Sequence, residues 1–311
     1  MDITKIKDMK VYNRMLHIIG LCSIIIILSA CSNSIREDEN NVEEKNNESH
    51  IAIQDENRII PTTVAASQII DALNLDAIAI PTTLYDLPKR FEGLPEIGNP
   101  MSPDMEIVKS LNPTEVFSVT TLEADLKKIF QELGIHASFI NLQSIDNMKA
   151  AIVEIGKKYD RTAEATKLVS ELEGKITAVR MKAESNESPK VLILLGIPGS
   201  YLVATENSYI GDLVRMAGGQ NVMNGQEPEY LPSNTEFLQQ SNPDIIIRLS
   251  HGMPEQVVEM FNEEFITNDI WKHYDAVKNG RVYDLKEPLF GTTATLAVPQ
   301  ALEELINIMY P

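Results

Sequence analysis

Histidine is the side chain best suited to bind a metal or carry a proton near neutral pH, and this chain has five. They are His17, His50, His136, His251 and His273. His251 follows the apolar run 245–249 and precedes Gly252 and Pro254, so it lies in a loop after a predicted strand. Open α/β sheets bind ligands at the carboxyl ends of their strands, which makes His251 a candidate ligand-binding residue. A packed histidine can occupy the same position, and position alone leaves both interpretations open.

The surroundings of the other histidines favour different roles. His50 lies in a polar stretch, whereas His136 follows Gly134 at a predicted helix end and enters a strand. His273 lies beside Trp271 in a predicted helix, which favours packing. A bare zinc or manganese site needs three or more histidines and carboxylates that converge, and this pattern does not indicate one.

Met101 is the second candidate, because a thioether can bind a soft metal while it is uncharged. It lies between Pro100 and Pro103, and prolines on both sides favour an extended, loop-like backbone. A buried hydrophobic role is the alternative. Met105, inside the predicted helix 104–111, and Met253, two residues after His251, rank below Met101 as ligands.

The amino terminus has the pattern of a bacterial lipoprotein. Cys22 and Cys31 are the only cysteines, so the body of the chain has no structural disulfide. The apolar run 16–28 follows a basic stretch and is too short for a permanent membrane span. The run ends in LSAC at 28–31, which resembles a lipobox and predicts a lipoprotein signal peptide over 1–30 with lipid on Cys31. An uncleaved membrane anchor is the alternative.

Composition narrows the class of protein. The net charge is −18, and an acidic surface repels phosphate backbones, which argues against nucleic acid as a partner. Residues 31–57 are rich in Asn and Glu and poor in apolar residues, which predicts a disordered acidic tether. The hydrophobic content of 43% is typical of a globular protein, and 311 residues exceed one ordinary core, so we expect two lobes.

Strand-like and helix-like runs alternate in both halves, which predicts two α/β lobes with largely parallel sheets over 58–158 and 187–311. The predicted strands are 58–60, 77–80, 116–119, 191–195, 245–247 and one that starts at 282. The predicted helices are 62–73, 104–111, 122–133, 145–158 and 209–217. No proline occurs between Pro113 and Pro189, and apolar residues with helical spacing predict one long connecting helix over 159–186. Gly174 is the weakest point of that helix.

A degenerate repeat links the two lobes. EIVKSLNP at 106–113 is echoed by EFLQQSNP at 236–243, and each copy runs directly into a predicted strand. The repeat places Glu106 and Glu236 at matching positions, each at the start of a helix. Two related lobes explain this similarity, although the chance similarity of two helix-to-strand connections is an alternative.

Four stretches of the sequence carry a resemblance to a known family. They are IPTTVA at 60–65, PEIGNPM at 95–101, GIPGSYLVAT at 196–205 and HGMPE at 251–255. In this order, and behind a lipobox, they resemble the haem-binding lipoproteins of the iron-regulated surface determinant system of Gram-positive bacteria. Those proteins belong to the helical-backbone class of ABC-importer substrate-binding proteins, in which the ligand lies in the cleft between the lobes. The resemblance covers residues 58–311.

The resemblance implies a site and a set of partners. Met101 and His251 would be the axial ligands of haem iron. Backbone N–H groups at Val64, Ala65 and the turn of Thr83, Leu84 and Tyr85 would bind the haem propionates, although Tyr85 has the alternative of stacking on the porphyrin. Glu106 and Glu236 would contact arginines of an ABC permease.

The resemblance also implies a protein without enzymatic activity that acts as a monomer. It would lie on the outer face of the cytoplasmic membrane, receive haem from cell-surface haem-transfer proteins and serve a permease with its ATPase. The alternatives are a siderophore or cobalamin binder and, further away, a haem enzyme. No nucleophile–base pair, phosphate loop or zinc-protease helix supports an enzyme.

Overall fold

The computed structural model describes residues 57–182, 188–233, 238, 240–251 and 253–311. The predicted signal peptide, Cys31, all but the last residue of the predicted tether, and Glu236 lie outside the described residues. The described residues belong to one unit of contacts, Ile53–Pro311. Among them, no helix combines the length and the apolar character that a bilayer crossing requires.

The elements alternate along the chain as predicted. The strands are β1 (Ile59–Pro61), β2 (Gly98–Asn99), β3 (Ser102–Pro103), β4 (Glu115–Val119), β5 (Ala137–Ile140), β6 (Lys190–Ile197), β7 (Ser200–Ala204), β8 (Gln220–Asn221), β9 (Tyr230–Pro232), β10 (Ile245–Ser250) and β11 (Val282–Leu285). The α-helices are α1 (Val64–Ala72), α2 (Met105–Ser110), α3 (Glu123–Glu132), α4 (Ile145–Lys158), α5 (Thr162–Lys182), α6 (Tyr209–Met216), α7 (Pro254–Thr267), α8 (Asp275–Lys278) and α9 (Val298–Met309).

The first lobe has a three-stranded parallel sheet in the order β1–β4–β5. All five residues of the central strand β4 are buried, as expected for a strand covered on both faces. The predicted strand 77–80 is wrong as a continuous element. Ala77 forms an isolated bridge with Ile59, and Ile80 forms another with Glu96. Because its two ends pair with different partners, the segment builds no ladder.

The second lobe has a mixed sheet in the order β11–β10–β6–β7–β9, with β8 also paired to β6. The strands β6, β10 and β11 are parallel neighbours, as predicted. The hairpin from β6 to β7 is antiparallel and was not predicted. Its turn has Pro198 followed by Gly199 at φ +81°, the residue pair that a type II turn favours. This Pro-Gly pair was the available signal.

The long helix α5 connects the lobes and packs against α4 and α9. Its 21 residues span about 32 Å. It begins at Thr162 rather than 159 because Asp160 has a left-handed backbone (φ +55°) that separates it from α4. A Cβ at Gly174 would meet no atom within 4 Å, so no close contact requires glycine there, and α5 continues through this position. The helix is therefore a continuous strut between the two sheets.

A buried carboxylate ties together three elements of the first lobe. The Glu115 side chain on β4 is only 3% exposed. It accepts hydrogen bonds from Ser138 on β5, from Lys158 at the end of α4 and from the Tyr159 hydroxyl at 2.6 Å. Burial opposes ionisation, but these hydrogen bonds prevail and hold the pKa of Glu115 below its ordinary value.

We expect Glu115→Gln to lower the free energy of unfolding by about 2 kcal/mol at neutral pH, because a buried charged network loses its acceptor. The pKa of Glu115 is depressed in the folded state, so its contribution is present above pH 4.5 and is lost as the pH falls through the folded value. Denaturant unfolding at several pH values measures both effects. The difference in the free energy of unfolding between the natural protein and the variant should disappear in acid.

Glu123→Gln is the matched control, because Glu123 forms an exposed pair with Lys127 within one helix. It should change stability by less than about 0.5 kcal/mol. A Glu115→Gln protein that unfolds like this control at every pH would contradict the assignment.

Candidate functional site

His251 is positioned by the sheet of the second lobe. It directly follows β10, and its N–H donates to the Gly196 carbonyl of β6 at 3.0 Å. The backbone at residue 251 is therefore still held in the register of two buried strands. The His251 side chain is half-buried, with 39% of its surface exposed. A rigid strand end thus presents a partly accessible imidazole, as the sequence pattern predicts.

Glu287 orients the His251 ring. Its Oε1 lies 2.8 Å from His251 Nδ1. Glu287 follows β11, the parallel neighbour of β10, so the two residues extend from adjacent strand ends. A carboxylate on Nδ1 fixes the orientation of the ring and leaves Nε2 as the nitrogen that can bind a metal. Sequence reasoning missed Glu287. The available signal was an acidic residue just beyond a strand end, the same position that singled out His251.

The two groups shift each other's pKa in opposite directions. The hydrogen bond to Glu287 raises the pKa of His251, and burial opposes this only in part. Burial penalises the Glu287 carboxylate, but hydrogen bonds with His251 and Tyr85 lower the pKa of Glu287. The pair therefore stabilises a negative carboxylate beside a more basic ring, and when that ring is neutral, a carboxylate on Nδ1 makes Nε2 a stronger ligand than that of an isolated imidazole.

Tyr85 connects this pair to the first lobe. Its hydroxyl donates to the other carboxylate oxygen of Glu287. Burial, together with this contact, raises the pKa of Tyr85 to about 12, so the phenol keeps its proton. The structure thus brings the predicted residues Tyr85 and His251 to one place, with Glu287 between them. The tyrosine hydroxyl is committed to Glu287, a role that the sequence did not indicate.

Met101 lies at the tip of the short hairpin β2–β3, in the two-residue loop formed with Pro100. Its N–H donates to Asn99 Oδ1 at 2.9 Å, and its side chain is 62% exposed. Thr82 joins this hairpin to the loop that carries Tyr85, because its N–H donates to the Gly98 carbonyl at 2.9 Å. The Met101 hairpin is therefore hydrogen-bonded to the chain segment that carries Tyr85, and the Tyr85 hydroxyl in turn contacts Glu287 beside His251.

The competing methionines differ in environment. Met105 is half-buried and packs against the first-lobe cluster that contains Val108, so its side chain has a structural role. Met253 is 61% exposed and has an unusual backbone with φ +21° at the start of α7. Among the described residues, no three His, Cys, Asp or Glu side chains form a group that could hold a bare metal ion.

The start of α1 offers free backbone donors. Thr63 is the N-cap, and its hydroxyl accepts from the Ala66 N–H at 3.1 Å. Among the described residues, the N–H groups of Val64 and Ala65 have no acceptor. Unpaired N–H groups at a helix start favour an anion, which fits the predicted binding of a carboxylate here.

The second predicted anion contact, the turn of residues 83–85, is only partly available. The Tyr85 N–H donates to Thr83 Oγ1 at 3.1 Å, so the predicted donor at residue 85 is already in use. The Leu84 side chain is fully exposed.

The residues predicted to contact a permease are described only in the first lobe. Glu106 lies exposed in the first turn of α2, directly after the N-cap Asp104. Two N–H groups of that turn, those of Glu106 and Ile107, donate to Asp104 Oδ1. Glu106 is therefore not needed as a cap, and its carboxylate faces solvent.

Known proteins resemble this chain in both sequence and fold. The model of the family described as periplasmic binding protein matches residues 52–289. This chain belongs to that family. A relative from Staphylococcus aureus, named high-affinity heme uptake system protein IsdE, is 42% identical over 287 residues, or 92% of this chain and 94% of the relative. The predicted resemblance is confirmed by this match.

Two solved structures are similar to the fold of this family member. One is S. aureus IsdE complexed with heme, with a TM-score of 0.79 at 46% identity over 82% of this chain and 99% of that one. The other is an ABC transporter substrate-binding protein from Listeria monocytogenes EGD-e, with a TM-score of 0.78 and 53% identity over the same shares. The predicted fold of two α/β lobes joined by one long helix is confirmed.

We expect Glu287→Gln to lower the pKa of His251 toward its ordinary value of 6.5, because the neutral amide no longer stabilises the imidazolium. The imidazole proton shifts of the ligand-free protein, followed by NMR against pH, report this directly. Glu255→Gln removes an exposed carboxylate near His251 in sequence and is the matched control. Equal titration of His251 in all three proteins would show that the carboxylate does not control the ring.

Proposed function

We propose that this protein is an extracytoplasmic lipoprotein that captures haem and delivers it to an ABC permease for iron acquisition. Its membership of the periplasmic binding protein family supports a carrier rather than an enzyme. The similarity to a heme uptake protein over 92% of the chain supports haem as the cargo. The observation that carries the proposal is the His251 imidazole, held through Nδ1 by Glu287 with Nε2 left for a metal.

We propose His251 and Met101 as the axial ligands of the haem iron. Both side chains bind iron without an ionised donor group, so a protein with a net charge of −18 need not add further negative charge at the iron. A histidine nitrogen opposite a thioether favours ferrous over ferric iron. His251 comes from a rigid strand end and Met101 from an exposed hairpin tip, so one ligand is fixed while the other is reached from solvent.

The propionates are proposed to lie against the start of α1, at the free N–H groups of Val64 and Ala65. We propose that the backbone N–H groups of Thr83 and Leu84 also contact a propionate and that the exposed Leu84 side chain offers an apolar surface to the porphyrin. Tyr85 is proposed to hold Glu287 rather than a propionate, because its hydroxyl and its N–H both have partners already.

We also propose that a lipid anchors the protein to the membrane and that two glutamates contact the permease. Lipid on Cys31 would attach the protein to the outer face of the cytoplasmic membrane, with residues 32–57 as the tether. Glu106 and Glu236 would each contact one permease subunit, and the permease ATPase would then drive import. We propose that the protein acts as a monomer and receives haem from cell-surface haem-transfer proteins. Exposed charge pairs of this kind set orientation and encounter rate more than affinity.

Residues 32–311 should acquire a sharp Soret band when haemin is added. Met101→Ala should weaken binding of ferrous haem and change the spectrum, whereas His251→Ala should weaken binding in both oxidation states by at least about tenfold. Met181→Ala removes an exposed thioether from α5 and is the matched control, with an unchanged spectrum. Unaltered spectra in both site variants would refute the ligand assignment. A chain that binds a siderophore or cobalamin instead of haem would refute the cargo.

Charge reversal tests the contact with the permease. Glu106→Lys together with Glu236→Lys should abolish haem uptake by cells and leave haem affinity unchanged, because only the proposed permease contacts are altered. Glu154→Lys reverses an exposed charge on α4 and should leave uptake intact. A loss of haem affinity in the double variant would count against an interface role.

A further inference from the structure

The described methionines differ in exposure, and three of them, Met105, Met216 and Met260, are half-buried. The buried group has side chains that are at most 2% exposed, and it contains Met148, Met223 and Met309. The exposed group contains Met101, Met181 and Met253, and each of these residues has more than 60% of its surface in solvent. A solvent-borne reagent therefore has access to the residues of the exposed group and is kept from those of the buried group.

The exposure of Met101 follows from its place in the fold. The two-residue loop between β2 and β3 and the bond from its N–H to Asn99 hold the backbone, so the loop is fixed without the side chain. Met105, four residues later, instead packs against Val108 and is half-buried. The sulfur proposed to bind iron is thus the accessible one in this part of the chain.

An accessible thioether reacts with hydrogen peroxide. The sulfur attacks one peroxide oxygen, the O–O bond breaks, a sulfur–oxygen bond forms, and the other oxygen leaves as water. The sulfur is oxidised by two electrons and the peroxide is reduced by two. The product, methionine sulfoxide, is polar, and its sulfur no longer has thioether character. It offers a harder oxygen donor, which suits ferrous haem poorly.

We infer that Met101 is a peroxide-sensitive modification site, at which oxidation to the sulfoxide stops haem capture by the ligand-free protein and bound haem blocks oxidation. The inference rests on the proposed function, because a sulfur bound to iron and covered by a porphyrin is closed to solvent. Met181 on the connecting helix is exposed to a similar degree, at 72% against 62%, but has no place in the site. It is therefore an internal reference for the reagent.

The first test compares rates of oxidation. The full chain in detergent is treated with hydrogen peroxide, either ligand-free or loaded with gallium protoporphyrin IX, which has the shape of haem but does not react with peroxide. Peptide mass spectrometry then follows each methionine. Loading should slow the oxidation of Met101 by at least about tenfold and leave Met181 unaffected. Equal rates at Met101 with and without the porphyrin would overturn the inference.

The second test measures haem binding after oxidation. Peroxide treatment of the ligand-free chain should weaken its retention of ferrous haem by at least about tenfold, and methionine sulfoxide reductase should restore it. The Met181→Leu variant should lose binding in the same way. If Met253→Leu abolishes the effect of peroxide, the sensitive residue is Met253 and the inference is wrong.

The two proposals fail in different ways. An untreated chain that never binds haem overturns the proposed function, and the inference falls with it. An untreated chain that binds haem normally, and binds it equally well after Met101 is fully oxidised, overturns the inference alone.

Discussion

The site depends on one carboxylate that is shared between the two lobes. Glu287 accepts from the Tyr85 hydroxyl on one oxygen and contacts His251 Nδ1 with the other, so a single side chain orients the imidazole and links it to the first lobe. Burial would favour the protonated acid, but the two hydrogen bonds lower the pKa of Glu287 and keep it charged. The charged carboxylate is the group that holds His251 Nδ1 at 2.8 Å and so orients the ring.

The fold supplies the rigidity that this contact requires. Both residues of the pair extend from neighbouring strands of a buried sheet, and the connecting helix α5 packs against α4 and α9. Loops and a hairpin carry Tyr85 and Met101 on the first lobe, and backbone hydrogen bonds tie these loops to each other. Binding groups on short loops that a rigid scaffold positions are a common solution for ligand recognition.

The two proposed iron ligands differ in exposure and in how firmly the fold holds them. His251 is half-buried, and the folded protein already holds its ring in one orientation before a ligand binds. Met101 is left open, which lets a large planar cargo reach it but also leaves its sulfur accessible to oxidants. A haem carrier of this design would gain access to its cargo through the same exposure that makes the thioether reactive.

Local patterns in the sequence were sufficient for the α/β alternation, for the exact bounds of α4, for the connecting helix, and for His251 at a strand end, because each of these follows from short-range periodicity and turn residues. The resemblance of four short stretches to a known family suggested that Met101 and His251 act as a pair, and this pairing stays a prediction. The sequence did not reveal Glu287, which lies 36 residues beyond His251, or the bond from Tyr85, which lies 202 residues from Glu287. Nor did it show that segment 77–80 would form two isolated bridges, one with Ile59 and one with Glu96, in place of a strand. These features depend on which strands become neighbours and which loops face each other, and such long-range packing is decided only in the tertiary structure.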